Sequence, residues 1–272
     1  MHQNNWAIET HELTRHFGDR RTGVVAVDHL DLCVPRGIIY GFLGPNGAGK
    51  STTINMLVGL LRPTSGTAAV AGFSVLDQPV QVKQRIGVVP EGLSLYERLT
   101  APEHIELVAR LHGLDRGEID RRIPPLLSLL ELDDAANKMI LDYSAGMRKK
   151  TAMAAALIHA PEVLFLDEPF ESVDPISTRA IKQILRDTVD RRGTTVFFST
   201  HVMELAERFC DQVGILNKGH LVASGSIPEL RARAGLSQSA PLEDVFLRTV
   251  QPHEQHEPEL LEWLTTRDPG VE

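Results

Sequence analysis

The sequence predicts an α/β fold with a mostly parallel central sheet, antiparallel strands near the N-terminus and an inserted helical lobe. Short apolar runs separated by helical stretches are typical of parallel strands joined by crossovers. Such runs lie at 38–43, 86–89, 163–166, 194–198 and 213–216. Residues 6–34 instead alternate apolar runs with turn residues, which indicates small antiparallel strands, and 66–72 is a further candidate. The lobe is predicted from helix signals in residues 95–160.

The first apolar run leads into a glycine-rich loop, and a predicted helix at 53–58 follows it. The loop fits the phosphate-binding pattern G-x-x-x-x-G-K-[ST] at every position; it consists of Gly44, Pro45, Asn46, Gly47, Ala48, Gly49, Lys50, Ser51 and Thr52. Glycines allow backbone N–H groups to turn toward an anion, and the helix N-terminus favours negative charge. The Lys50 ammonium can reach the outer phosphates, and the Ser51 hydroxyl can ligate Mg²⁺. The loop therefore predicts nucleotide binding.

The helical lobe carries its own start signals. A capping box at 100–103 predicts a helix through about residue 111, and residues 115–118 are a second candidate start. An alanine-rich third helix is predicted from 146 to about 159, with Ser144 as its N-cap. The Ser144 hydroxyl and the free N–H groups of that helix would form a second anion site, although the segment taken alone is better explained as a plain capped helix.

Polar residues follow two of the predicted core strands, at the edge where open α/β sheets bind ligands. Asp167 and Glu168 come directly after the run 163–166. Asp167 is placed to hold Mg²⁺ through water, and Glu168 to accept a proton from an attacking water. His201 follows the run 194–198 and is expected to hydrogen-bond the terminal phosphate.

Composition narrows the class of protein. The chain has 272 residues and a formal net charge of −8, which argues against an extended nucleic-acid-binding surface.

Individual residues add to this picture. The basic clusters 148–150 and 191–192 are interpreted as solvated helix surface. Cys33 and Cys210 show no metal spacing and are interpreted as buried small residues that suit a reducing cytoplasm. The sequence contains no run of about 18 apolar residues, so it predicts no membrane span. Its N-terminus does not resemble a signal peptide.

In this order and spacing, the motifs resemble the ATPase subunit of an ATP-binding cassette (ABC) transporter over about residues 6–249. The resemblance implies a P-loop NTPase core with an N-terminal antiparallel β subdomain and the helical lobe at about 95–160. Residues 44–52 match the Walker A loop, and 163–168 match Walker B, with Glu168 as the catalytic glutamate. The signature segment corresponds to Ser144, Ala145, Gly146 and Met147, and Asp174 corresponds to the D-loop aspartate. His201 matches the switch histidine, and Phe17 matches the aromatic residue that stacks on adenine.

The family then implies ATP and Mg²⁺ as cofactors and a head-to-tail dimer, either of this chain or with a paired ATPase subunit. Each ATP would lie between the Walker A loop of one chain and the signature segment and Asp174 of the other. The helical lobe would dock on a separate membrane permease, which places the chain in the cytoplasm on the inner face of the cell membrane. The signature and the stretch 241–247 are similar to those of bacterial drug and sodium exporters.

Glu91 is the main departure, because the family usually has glutamine there. It follows the run 86–89 and is expected near Mg²⁺ and the γ-phosphate. Two roles of Glu91 stay open. In the first, Glu91 belongs to the coordination shell of Mg²⁺ and couples the state of the nucleotide to the helical lobe. In the second, it is an auxiliary general base. Ala145 replaces a signature glycine, and 170–172 departs from the usual sequence before the D-loop.

Two other functions compete with transport. The first is a non-transport ABC ATPase that acts on nucleic acid or ribosomes, although such proteins usually carry coiled coils or two cassettes. The second is a GTPase or a small-molecule kinase. The segment 217–220, however, lacks the aspartate with which a GTPase would bind the guanine base. The tail from 250 to 272 is rich in Glu, His and Pro, and both a short docked helix and disorder are open for it.

Overall fold

The computed structural model describes residues 5–19, 23–171 and 173–250. Ser172 and the tail beyond Val250 lie outside these ranges, so the alternatives for the tail stay open. The strands are β1 Trp6–Phe17, β2 Val24–Pro35, β3 Ile39–Leu43, β4 Ser65–Val70, β5 Phe73–Ser74, β6 Ile86–Val89, β7 Val163–Asp167, β8 Thr195–Thr200, β9 Gln212–Asn217 and β10 His220–Gly225. The α-helices are α1 Lys50–Leu57, α2 Pro79–Arg85, α3 Ala101–Leu111, α4 Arg116–Leu129, α5 Ala145–Leu157, α6 Pro175–Arg192, α7 Met203–Phe209, α8 Ile227–Arg233 and α9 Leu242–Val250.

The strands form two sheets of the predicted kinds. A six-stranded sheet has the order β10-β9-β3-β8-β7-β6, and its strands pair in parallel apart from the antiparallel pair β9–β10. A four-stranded antiparallel sheet has the order β2-β1-β4-β5. The prediction of a mostly parallel core with antiparallel N-terminal strands is therefore confirmed.

The parallel sheet is buried on both faces, which explains the continuous apolar runs. Every residue of β3, β7 and β8 is buried. Alternate side chains pack into different cores, because successive residues of a strand point to opposite faces. Phe165 and Phe197 pack toward the antiparallel sheet, whereas Leu164 and Phe198 pack toward the helical lobe.

The helical lobe contains α3, α4 and α5, between β6 and β7. The Thr100 side chain accepts a hydrogen bond from the Glu103 N–H, and Glu103 accepts one in return, which is the predicted capping box. Asp115 and Ser144 cap α4 and α5, as the sequence predicts. None of the helices in the described ranges combines the length and the apolar composition that a membrane span requires.

Two interpretations of the sequence were wrong about exposure. Lys149 and Lys150 are buried, because α5 is enclosed on all sides along residues 149–156. Arg191 and Arg192 are exposed, as predicted. Cys33 is exposed, since it lies between the inward-facing Leu32 and Val34 of β2 and points to the other face.

The first helix also begins earlier than predicted. It starts at Lys50, so the last three residues of the glycine-rich loop form its first turn. Gly49 makes this possible, because its φ of 107° turns the chain directly before the helix.

Candidate functional site

The carboxyl ends of the parallel strands bring the predicted site residues to one edge of the sheet. Leu43, at the end of β3, pairs with Thr200 of β8, and Asp167 of β7 pairs with Ser199. The glycine-rich loop, Glu168 and His201 therefore leave neighbouring strands at the same level. This register is why residues more than 150 positions apart in sequence share a cleft.

The glycine-rich loop needs its glycines for close packing as well as for conformation. A Cβ on Gly44 would lie 2.3 Å from the Leu216 carbonyl oxygen, and one on Gly49 would lie 2.2 Å from that of Ala26. Gly47 has a φ of 79° and open space around it. Helix α1 starts without a side-chain cap, so its first N–H groups are free to bind an anion.

Lys50 is buried and crosses this loop. Its ammonium donates hydrogen bonds to the carbonyl oxygens of Gly44 at 2.8 Å and Pro45 at 3.3 Å. It also lies 3.5 Å from Oε1 of Glu168. The same Glu168 oxygen is 3.1 Å from Nδ1 of His201. The Glu168 carboxylate is therefore held between two groups that come from different loops.

These groups line a cavity of about 290 Å³, which we name the phosphate cleft. Its lining combines predicted residues with two unpredicted ones, Ala26 and Glu171; the predicted residues are Asn46, Gly47, Gly49, Lys50, Ser51, Thr52, Glu91, Glu168 and His201. The structure thus brings Glu91 to the same cleft as the loop and Glu168. No local pattern in the sequence points to Ala26 or Glu171, because their position depends on how β2 and the segment after β7 pack.

The backbone around Glu168 is unusual. Its φ is 45°, in the left-handed region that non-glycine residues rarely adopt. The Ser199 hydroxyl accepts a hydrogen bond from the Glu168 N–H at 3.0 Å and donates one to Asp167 Oδ1 at 2.5 Å. The Lys149 ammonium donates to the Glu168 carbonyl oxygen at 2.6 Å. Both peptide groups that flank the Glu168 side chain are therefore anchored.

Sequence reasoning did not assign Ser199 or Lys149 to the site. Ser199 offered a signal, because it is a polar residue at the end of a buried strand. Lys149 offered none, because it stands in a run of three basic residues, 148–150, and only the structure shows that it is buried. Burial lowers the pKa of Lys149, although the surrounding carboxylates of Glu171, Glu168, Glu91 and Asp167 oppose this shift.

The chemistry of the oxygen donors at this edge fits Mg²⁺. The Ser51 hydroxyl and the Glu91 carboxylate line the phosphate cleft, and the Asp167 carboxylate is buried beside it. Among the described residues, no three His, Cys, Asp or Glu side chains form a complete metal cage. Such a sparse oxygen set is typical of Mg²⁺ in nucleotide sites, where phosphates and water supply the remaining ligands.

Several predicted residues lie outside the lining of the phosphate cleft. Besides Gly44, Pro45 and Ala48 of the loop and the neighbouring Asp167, these are the signature segment, Asp174 and Phe17. The signature segment, Ser144 to Met147, is at the start of α5, where Ala145 lines a neighbouring cavity of about 570 Å³. Asp174 caps α6 close to the signature, since a Cβ on Gly146 would lie 3.6 Å from Asp174 Oδ2. Phe17 ends β1 and is 41% exposed, with the Arg15 guanidinium 4.6 Å from its ring centroid.

Comparison with known proteins shows the family to which this geometry belongs. The model of the ABC transporter family matches residues 27–171. The daunorubicin/doxorubicin resistance ATP-binding protein DrrA of Streptomyces peucetius is 41% identical over 229 residues, which are 84% of this chain and 68% of that protein.

Solved structures agree with this match. A solved ATP-binding subunit of an ABC transporter has a TM-score of 0.83 and 31% identity, covering 90% of this chain and all of that one (100%). A dimeric bacterial ABC transporter cassette has a TM-score of 0.74 and 25% identity, covering 80% of this chain and 98% of that one.

These matches extend beyond the phosphate-binding loop, which many unrelated nucleotide-binding proteins share. They cover both sheets and the helical lobe, and they include a dimeric cassette of the same fold. They favour neither a guanine-specific GTPase nor a non-transport ATPase. The chain binds and hydrolyses ATP, and it belongs to the ABC transporter family as an ATP-binding subunit.

Proposed function

We propose that this chain powers an exporter whose membrane permease is a separate chain, through dimerisation driven by ATP. One observation carries the catalytic part of the proposal: the Glu168 carboxylate lies 3.5 Å from Lys50 and 3.1 Å from His201 at the phosphate cleft. A carboxylate in this position is suited to activate water beside the terminal phosphate of ATP.

ATP binding follows from the loop and the helix that it opens. The phosphates would lie along the N–H groups of residue 47 and residues 49–52, where the dipole of α1 favours negative charge; the Ala48 N–H donates to the Pro45 carbonyl instead. The Lys50 ammonium, already directed across the loop, would contact the outer phosphates. Phe17 lies at the end of β1 opposite Val24, two residues from Ala26 in the cleft lining, so its ring is suited to stack on adenine.

Hydrolysis would use the anchored carboxylate. A water oxygen attacks the γ-phosphorus, Glu168 takes the proton of that water, and the bond to the bridging oxygen breaks to release ADP and phosphate. His201 donates a hydrogen bond to the γ-phosphate and orients the water. Mg²⁺, held by Ser51, by Glu91 and through water by Asp167, would neutralise the phosphate charge when it is bound.

The signature segment would serve the nucleotide of a second chain. Ser144 and Ala145 are exposed, and the N-terminus of α5 is a second place where an anion can bind. Because these residues lie outside the lining of their own phosphate cleft, they and Asp174 are available to an ATP held by a partner. A head-to-tail dimer, of this chain or with a paired ATPase subunit, uses both sites at once.

The permease would carry the cargo and dock on the helical lobe. Export is supported by the relative from Streptomyces peucetius, whose name describes drug resistance. The chain would then act in the cytoplasm, on the inner face of the membrane where its permease lies. Cargo selection belongs to the permease.

The test is Glu168→Gln, which keeps the shape of the side chain and removes the base. We expect kcat for ATP to fall about 10²–10⁴-fold while ATP binding is retained. Light scattering should show that the variant accumulates as a dimer with Mg-ATP, because closure precedes hydrolysis. Glu162→Gln is the matched control, since Glu162 is an exposed partner of Arg36 and Arg85 directly before β7.

Two results would contradict the proposal. Wild-type turnover by Glu168→Gln would remove Glu168 from the role of base. A variant that binds ATP but stays monomeric at every ATP concentration would contradict the dimer.

A further inference from the structure

We propose that Lys149 is a positioning residue for Glu168, and that it links the start of the signature helix α5 to the catalytic base. The inference rests on the proposed role of Glu168 as the base. It goes beyond that role, because it assigns to the helical lobe a direct contact that controls the geometry of hydrolysis.

The contact is short and enclosed. Lys149 is 7% exposed. Its ammonium donates to the carbonyl oxygens of Glu168 at 2.6 Å and Glu171 at 3.3 Å. Lys149 follows the N-cap Ser144 by five residues, so one side chain joins the first turns of α5 to the segment that carries the base. This side chain bridges the helical lobe and the loop after β7.

Glu168 needs such an anchor because of its backbone. A non-glycine residue in the left-handed region is strained and persists only where its surroundings hold it, and Glu168 has a φ of 45°. Ser199 holds the N–H side, and Lys149 holds the carbonyl side together with the Glu171 N–H, which donates to the same oxygen at 3.3 Å. Together the two contacts set the direction of the Cα–Cβ bond, and they thereby place the carboxylate between Lys50 and His201. Without Lys149, the carbonyl side would lose its charged donor.

The simplest alternative is that Lys149 only balances the acidic groups around it. Its ammonium, however, bonds to backbone carbonyls, whereas the next residue forms an ordinary ion pair. Lys150 is equally buried and bonds at 2.8 Å to Oε2 of Glu131, which lies two residues beyond the end of α4. The two neighbouring lysines therefore separate the two roles: Lys150 joins helices within the lobe, and Lys149 reaches the base.

The link has a consequence for the dimer. If the phosphate of a partner's ATP binds at the N-terminus of α5, a shift of this helix would move the Lys149 ammonium against the Glu168 carbonyl. The base of one cleft would then respond to the nucleotide that the same chain contacts in the other cleft.

The experiment compares Lys149→Met, Lys149→Arg and Lys150→Met in the full chain, with kcat and KM for ATP, nucleotide affinity and thermal melting. Methionine keeps the length and removes the donor, and arginine restores it. We expect Lys149→Met to lower kcat about 10–100-fold with KM and ATP affinity within about threefold, because misplacement of a reacting group affects the chemical step. Lys149→Arg should recover most of kcat, and Lys150→Met should keep wild-type kcat.

Several results would overturn the inference. One is wild-type kcat for Lys149→Met; another is an equal fall for Lys150→Met, which would assign the effect to packing of α5. If Lys149→Met does not fold, Lys149→Gln replaces it, and the inference then requires arginine to exceed glutamine in kcat. Glu168→Gln in the same assay distinguishes failure of one proposal from failure of the other. If Glu168→Gln is inactive and Lys149→Met is fully active, only the positioning role of Lys149 is refuted. If Glu168→Gln is active, the role of Glu168 as the general base is refuted.

Discussion

The Ser199 hydroxyl offers a sharp test of how the base is held. It is fully buried and makes two contacts, donating to Asp167 Oδ1 at 2.5 Å and accepting from the Glu168 N–H at 3.0 Å. Ser199→Ala removes both contacts and changes the side-chain volume little. The variant should therefore lose stability and catalytic rate together.

The magnitude follows from the two partners. A hydrogen bond to a charged group contributes about 1.5–3 kcal/mol, and a buried N–H without an acceptor costs about 1–3 kcal/mol. These effects overlap, so we expect a loss of about 3 kcal/mol in the free energy of unfolding. For a chain of this size, that loss lowers Tm by about 6–12 °C. We also expect kcat to fall at least about tenfold, because the Glu168 backbone loses its anchor on the N–H side.

Denaturant unfolding and ATPase kinetics test both parts. The midpoint should fall while the slope m stays unchanged, which marks a change in stability alone. Thr194→Val is the matched control, because this buried hydroxyl makes one neutral hydrogen bond, to the Pro161 carbonyl at 2.9 Å. It should cost only about 1 kcal/mol and leave kcat unchanged. If Ser199→Ala is no less stable than Thr194→Val and keeps wild-type kcat, the reasoning is refuted.

Three further predictions follow from individual residues. Glu91→Gln should keep basal ATPase activity within about tenfold, a barrier change of about 1.4 kcal/mol or less, and should raise the Mg²⁺ concentration needed for half-maximal rate. Ser144→Arg should abolish ATP-driven dimers in sedimentation while ATP affinity is retained, because a long charged side chain blocks the start of α5. Burial and the stacked His112 ring lower the pKa of His159 to about 4 from 6.5, so the unfolded state binds a proton in this window that the native state does not. Stability therefore falls as pH drops from about 6.5 toward 4, and His159→Gln should flatten that part of the pH profile of unfolding.

Each of these has a contrary outcome. A Glu91→Gln enzyme as inactive as Glu168→Gln, with unchanged Mg²⁺ dependence, would favour the auxiliary base over the metal-shell role. If Ser144→Arg forms dimers at the same ATP concentrations as the wild-type chain, the signature segment does not lie at the dimer interface. An unchanged pH profile for His159→Gln would mean that another group titrates in that range.

Much of the fold could be predicted because its signals are local. The glycine-rich loop depends on residues that are neighbours in sequence, and the Thr100 capping box depends on a spacing of three. The buried strands were visible as apolar runs, because both faces of the parallel sheet are covered. The carboxyl ends of such strands share one edge, so Glu168 and His201 could be expected together before any distance was known.

The sequence by itself thus determined the core strands, the caps of the three lobe helices, the phosphate-binding loop and the residues that face it. Only the tertiary structure decided what holds the base. The contacts of Glu168 with Lys149, Ser199 and His201 join positions 19, 31 and 33 residues apart, and no periodic pattern specifies them. They arise because α5 packs against the loop after β7 and because β7 pairs with β8 in one register. The same packing enclosed Lys149, which composition alone had assigned to the solvent.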